Sequence, residues 1–155
     1  MNLRDRSVMF LATGFSVGRL PMAPGTFGSL LGLPLWLGIS VLEPLAAWMV
    51  LALFIGCAVW ICQRAEQLLE AKDPGCIVID EVAGMAVTLM GLPVSAPVAV
   101  GGFFLFRVLD ITKPPPIRFL ERRLQGGAGV VFDDIAAGIM GNVLLRFLLP
   151  MIEAM

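Results

Sequence analysis

Long charge-free runs alternate with short charged clusters along the whole chain, and few positions show the two-residue alternation of strands. Residues 27–42 carry no charge and reach spanning length with slight extension; Pro34 inside the run is tolerated in a membrane helix. Residues 44–63 are also free of charge and match the ~20 residues that a bilayer requires. Residues 82–106 form a third run, but Gly91-Leu92-Pro93 and Pro97 sit in its middle, where a turn is more natural than a straight helix. Residues 135–152 form the last, broken by Arg146, with small residues at Ala137, Gly138, Gly141 and Asn142 that let a neighbouring helix approach closely. The first residues predict a short retained helix ending near Gly14 to Gly18, because no small-residue cleavage site follows their apolar run.

Charge placement decides how the third run folds. Arg64 and Lys72 precede it, and Lys113, Arg118, Arg122 and Arg123 follow it. A single crossing would place one basic cluster outside, against the positive-inside tendency. A hairpin of two short arms turning at residues 92–97 returns both clusters to the cytoplasm. The expected architecture is therefore all-α: one domain over residues 1–155, a multi-pass membrane helical bundle with short or re-entrant helices and a charged site at one membrane face.

Composition agrees with a membrane setting: 58% of the residues are hydrophobic and 15% charged, and the mean hydropathy is +0.90. A net charge of −1 with no basic stripe argues against nucleic acid as a partner. Histidine is absent, which excludes imidazole acid–base chemistry, Ser-His-Asp triads and zinc sites that need imidazole. Cys57, Cys62 and Cys76 show no metal-ligand spacing and read as reduced thiols.

The charges that remain are concentrated. Residues 107–134, RVLDITKPPPIRFLERRLQGGAGVVFDD, hold Arg107, Asp110, Lys113, Arg118, a Gly126-Gly127-Ala128-Gly129 loop and the pair Asp133-Asp134. The hairpin brings Asp80 and Glu81 to the same face, together with the loop Pro24-Gly25-Thr26, where Thr26 is predicted to cap the next helix. Arg107, Asp110 and Lys113, spaced by three, share a face if helical, and Pro114-Pro115-Pro116 is expected to end that helix. Asp133-Asp134 is expected to open the last helix, where its dipole favours negative charge. Clustered carboxylates near an interface repel one another, and a divalent cation relieves this. Oxygen donors without imidazole or thiolate select Mg²⁺, or Mn²⁺ in its place. The lysine and arginines beside them suit an anionic, phosphorylated substrate. Arg118, Arg122 and Arg123 read primarily as headgroup or topology charges.

Other phosphoryl chemistries lack their residues. No cysteine is followed six residues later by arginine, and no Asp-x-Asp offers an aspartyl-phosphate route. The acid series of CDP-alcohol phosphotransferases is missing. A non-enzymatic divalent-cation carrier would place its acids at mid-membrane on broken helices, away from Lys and Arg.

Three blocks, PMAPGTFGSL (21–30), IVIDEVAGMAVTLMGLP (77–93) and FRVLDITKPPPIRFLERRLQGGAGVVFDDIAAG (106–138), closely resemble the phosphatidylglycerophosphatase A family, in order and over most of the chain. The resemblance implies Mg²⁺-dependent hydrolysis of phosphatidylglycerophosphate to phosphatidylglycerol and phosphate in the bacterial inner membrane; the residue chemistry adds attack by a metal-activated water, and the hairpin places the site toward the cytoplasm. It implies Asp80, Glu81, Asp110, Lys113, Asp133 and Asp134 as catalytic candidates. From residue chemistry, Asp80, Glu81, Asp133 and Asp134 are the expected metal ligands, with Thr26, Arg107, Lys113 and Arg118 toward the phospholipid substrate and membrane lipids.

Overall fold

The computed structural model describes residues 2–153; the side chains of Pro116, Glu121, Arg122, Ile152 and Glu153 lie outside the described part, and with them the reading of Arg122 as a headgroup charge. Among the described residues every regular element is helical: α1 (Leu3–Ala12), a 3₁₀ turn (Val17–Arg19), α2 (Pro24–Ser40), α3 (Pro44–Leu69), α4 (Ile79–Leu89), α5 (Ala96–Thr112), α6 (Pro115–Arg123) and α7 (Gly126–Glu153).

Local chemistry starts these helices where they start. Asn2 accepts the Asp5 N–H on its Oδ1 at 2.9 Å and caps α1. Helices α2, α3, α5 and α6 each carry proline in the first turn, where the missing N–H has no intrahelical partner in any case. The hairpin expected across the third apolar run is present, with α4 and α5 packed together and joined by residues 90–95. The proline run ends α5, as expected, but it also begins α6: Lys113 adopts the left-handed conformation (φ 42°) that closes α5, and Pro115 opens the next helix.

Helix α4 is the centre of the packing. Ten of its eleven residues are buried, so it presents no solvent or lipid face of its own. It packs on α7, α2, α3 and α5. At eleven residues it is about 16 Å long, roughly half a hydrocarbon core.

Among the described residues, two helices are long and apolar enough to cross a membrane, residues 44–69 and 126–151. In α3 only 28% of the spanning window is buried. Trp48, Met49, Leu53 and Trp60 are all at least half exposed. An apolar surface of that kind is costly in water and neutral against lipid tails. Helix α2, with 17 residues, is about 26 Å long and falls short of a span by itself.

Helix α7 begins earlier than expected. It starts at Gly126, so Asp133 and Asp134 lie in its third turn rather than at its N-terminus. The Gly126–Gly129 segment is therefore the first turn of a helix, not a free loop. A Cβ at Gly127 would collide with Val59 O and the Gln63 backbone of α3, and its N–H donates to Gln63 Oε1 at 2.9 Å. The glycines let α7 lie directly on α3. That contact accounts for Gly126 and Gly127 without a phosphate, and Gly129 lies against the Leu124 carbonyl.

Candidate active site

The first turn of α4 supplies Asp80 and Glu81, and the third turn of α7 supplies Asp134. Ligand-type oxygens of these three carboxylates lie within 4.8 Å of one another. Asp80 and Asp134 are buried and Glu81 nearly so. Among the described residues, Asp80 Oδ1, Glu81 Oε2 and Asp134 Oδ2 are buried without a hydrogen-bond partner. Three inward carboxylate oxygens left unsatisfied at one point are expensive unless something positive meets them.

Electrostatics records the crowding. Burial, and then the neighbouring charge of Glu81, hold the Asp80 carboxyl well above the ordinary carboxylate range, with Asp73 adding to the effect. Burial, followed by the charge of Asp134, pushes Glu81 up to about 8, with Asp110 adding and Arg107 opposing. A cation among them would reverse both shifts.

Two basic side chains border the acids. Arg107 on α5 donates from Nη1 to Asp110 Oδ2 at 2.6 Å, the expected i,i+3 pair, and to Ser29 Oγ of α2 at 3.4 Å. Its Nε is buried without a partner. Lys113, turned out of the helix by its positive φ, reaches α7 and donates from Nζ to Asp133 Oδ2 at 2.6 Å. Asp133 Oδ1 in turn accepts the Asp134 N–H at 3.0 Å. Asp133 thus faces the lysine while Asp134 faces Asp80 and Glu81.

Helix α2 closes the site from another side. Gly25, in its first turn, lies so near Glu81 Oε1 that a Cβ there would overlap it, and that Cβ would stand 3.1 Å from Arg107 Nη1. Only glycine allows this approach. Thr26 is the third residue of α2 and not its cap, since Ala23 holds that position with a left-handed backbone. Arg118 is exposed on α6, its Nη2 donating to Thr112 O at 3.5 Å across the end of α5. The fold therefore gathers Asp80, Glu81, Arg107, Asp110, Lys113, Asp133 and Asp134, and leaves Arg118 and Thr26 at the margin.

Several contributors have no sequence signature of their own. Ser29 reads as an ordinary small residue, and Gly25 as part of a loop at the same face, with nothing to mark its contact with Glu81 and Arg107. Asp73 reads as part of a turn, yet its N–H donates to the buried Glu66 Oε1 at 2.7 Å and its charge is felt at Asp80. Local spacing cannot reveal a contact made between distant segments.

Fold and site together define, among the described residues, an all-helical protein with a buried acid cluster that could hold a metal ion, flanked by lysine and arginine. The profile of the family described as phosphatidylglycerophosphatase A matches residues 10–149, and the chain belongs to that family. It is a phosphatase. Among curated relatives it is 40% identical over 139 residues to the phosphatidylglycerophosphatase A of Escherichia coli (strain K12), covering 89% of this chain and 81% of that one. It is 35% identical over 144 residues to the phosphatidylglycerophosphatase A of Haemophilus influenzae, covering 89% and 86%. It is also 34% identical over 145 residues to a putative phosphatidylinositol-3-phosphatase of Bacteroides thetaiotaomicron, covering 88% and 90%. No solved structure matches the chain.

Proposed function

We propose that this protein hydrolyses phosphatidylglycerophosphate to phosphatidylglycerol and inorganic phosphate, with Mg²⁺, as a multi-pass single-domain enzyme of the bacterial inner membrane whose site faces the cytoplasm. The observation that carries the reading is the set of unsatisfied, buried oxygens of Asp80, Glu81 and Asp134 beside Lys113 and Arg107. These donors fit a hard divalent cation, since all are carboxylate oxygens and no thiolate or imidazole competes. Asp80, Glu81 and Asp134 would hold the ion. When bound, Mg²⁺ supplies positive charge against phosphoryl oxygens and makes water more acidic.

The chain's own residues do the rest. Lys113 and Arg107 bind the non-bridging oxygens of the terminal phosphate and offset the charge that grows on the leaving glycerol oxygen. Asp133 holds Lys113 in place, and Asp110 does the same for Arg107. A site carboxylate orients the attacking water and accepts its proton. The bond from phosphorus to the glycerol oxygen breaks as the water oxygen adds, and the departing alkoxide gains a proton. Gly25 keeps the start of α2 close against Glu81 and Arg107, which limits water around the acids.

Support for a lipid substrate comes from the names of the three relatives and from the two apolar helices. The deciding experiment is phosphate release by the purified protein in detergent micelles carrying either phosphatidylglycerophosphate or phosphatidylinositol 3-phosphate, with and without Mg²⁺. Mg²⁺-dependent release with preference for phosphatidylglycerophosphate is expected. Preference for the inositol lipid would transfer the substrate assignment while keeping the chemistry. No release from either lipid would overturn the reading.

A further inference from the structure

Helix α4 carries Asp80 and Glu81 at one end and leaves its last carbonyls at the other. Such carbonyls have no partner within the helix, and in an apolar interior they have no water either. Here they are met by α7. Asn142 Nδ2 lies 2.9 Å from Thr88 O, 2.9 Å from Met90 O and 3.3 Å from Val87 O. An amide has two hydrogens, so the longest of the three is a shared contact. Arg146, one turn further along α7, donates from Nε to Asn142 Oδ1 at 2.9 Å and from Nη2 to Met90 O at 3.2 Å and Gly91 O at 3.3 Å. The Arg146 bond fixes which way the amide points: its oxygen is engaged, and its N–H groups are turned onto α4. Between clamp and acids the helices touch backbone to backbone, since a Cβ at Gly138 would come within 2.5 Å of Gly84 O.

We infer that Asn142, oriented by Arg146, is a positioning residue that sets the seating of α4 on α7, and with it the spacing of Asp80 and Glu81 from Asp134. The geometry is that of a pair of rails. Asp134 and Asn142 are eight residues apart on α7, about 12 Å along its axis; Glu81 and Thr88 are seven apart on α4, about 10 Å. At one end like charges push the two helices apart. At the other, side-chain donors pull them together. A slip of α4 by part of a turn would carry the acids with it and spoil their convergence. The inference rests on the reading of those acids as a cation site.

The test uses the full-length protein in detergent and two readouts: the Mg²⁺ concentration giving half of the Mg²⁺-induced rise in unfolding temperature, without lipid, and the half-saturating Mg²⁺ for phosphate release. Asn142→Leu keeps the branched shape of the side chain and removes both donors. It is expected to raise both Mg²⁺ values by about tenfold to a hundredfold, the usual cost of losing a group that orients metal ligands. Its KM for lipid should stay within about twofold. Val8→Ala, a core change on α1, which packs on α3, lowers the unfolding temperature but should leave both Mg²⁺ values in place. If Asn142→Leu does not fold, Gly138→Ala, which keeps the amide and wedges the same seam, is measured instead with the same expectation. Loss of stability with Mg²⁺ values unchanged in the variant measured would overturn the inference alone. Absence of any Mg²⁺ response in the unsubstituted protein would overturn the cation-site reading itself, and the inference with it.

Discussion

Lys113 Nζ lies 2.6 Å from Asp133 Oδ2, twenty positions further along the chain. The contact ties the end of α5 to the third turn of α7, and it exists because Lys113 leaves the helix with φ 42°. It divides neighbouring acids: Asp133 is matched by a lysine, and Asp134 is left to Asp80 and Glu81. Asp133 is the more buried partner of the pair, so losing the lysine strands a carboxylate.

Lys113→Ala is accordingly expected to destabilise the protein by about 3 kcal/mol, the usual cost of breaking a substantially buried pair from one side. Lys113→Ala combined with Asp133→Asn should recover much of that stability, because the stranded charge is gone, while phosphate release stays lost. Thermal unfolding of the two single variants and the double variant in detergent measures the coupling. Additive losses would show that the contact has no energetic weight.

Glycines 25 and 38 on α2 make a controlled comparison. A Cβ at Gly25 meets Glu81 and Arg107, whereas one at Gly38 meets nothing within 4 Å. Gly25→Ala is expected to lower kcat about a hundredfold, the scale of effect of displacing reacting groups by about an ångström. Gly38→Ala should leave kcat unchanged and stabilise the helix by about 0.5–1 kcal/mol. Steady-state kinetics beside melting curves separate the two. Equal effects on kcat would remove Gly25 from the site.

Metal-free protein should lose stability as pH rises. Asp80 and Glu81 hold protons in the folded state that the unfolded chain has already released, since their folded values are raised. The resulting stabilisation is complete below the ordinary carboxylate range and is lost as pH rises through about 8. With a chelator present, melting at about pH 8.5 is expected below that at about pH 6. Mg²⁺ should raise the melting temperature more at the higher pH, where its ligands are already ionised. A chelated protein that grows more stable across this interval would contradict the raised values.

Much of this was legible along the chain. The charge-free run at 44–63 became α3, and the hairpin expected to turn at 92–97 is present with its connection at 90–95. The acids and bases that the fold gathers were also singled out, because so apolar a chain has few charges to choose from. Other features were not. Pro114-Pro115-Pro116 signals a helix end equally well whether or not another helix begins, and so concealed α6. Gly126 and Gly127 carry the composition of a phosphate loop, while their contact with Gln63 depends on a helix more than sixty residues away. Asp133 and Asp134 resemble a helix start because charges are expected at interfaces; the roughly two turns of uncharged helix before them have no marker. Asn142 reads as a small packing residue, and only the seating of α4 turns its amide into a clamp.

The most direct measurement is Mg²⁺-dependent phosphate release from phosphatidylglycerophosphate by the unsubstituted protein, Asp80→Asn and Asp134→Asn, each with its melting curve. Both substitutions replace an ionisable carboxyl of a crowded buried group by a neutral amide and change almost no volume. Loss of release by roughly a thousandfold or more in both, with folding kept and chelated melting temperatures equal or higher, is the expected result. Release that persists near the unsubstituted rate in either folded variant would contradict the assignment of Asp80, Glu81 and Asp134 as the cation-binding centre of the enzyme.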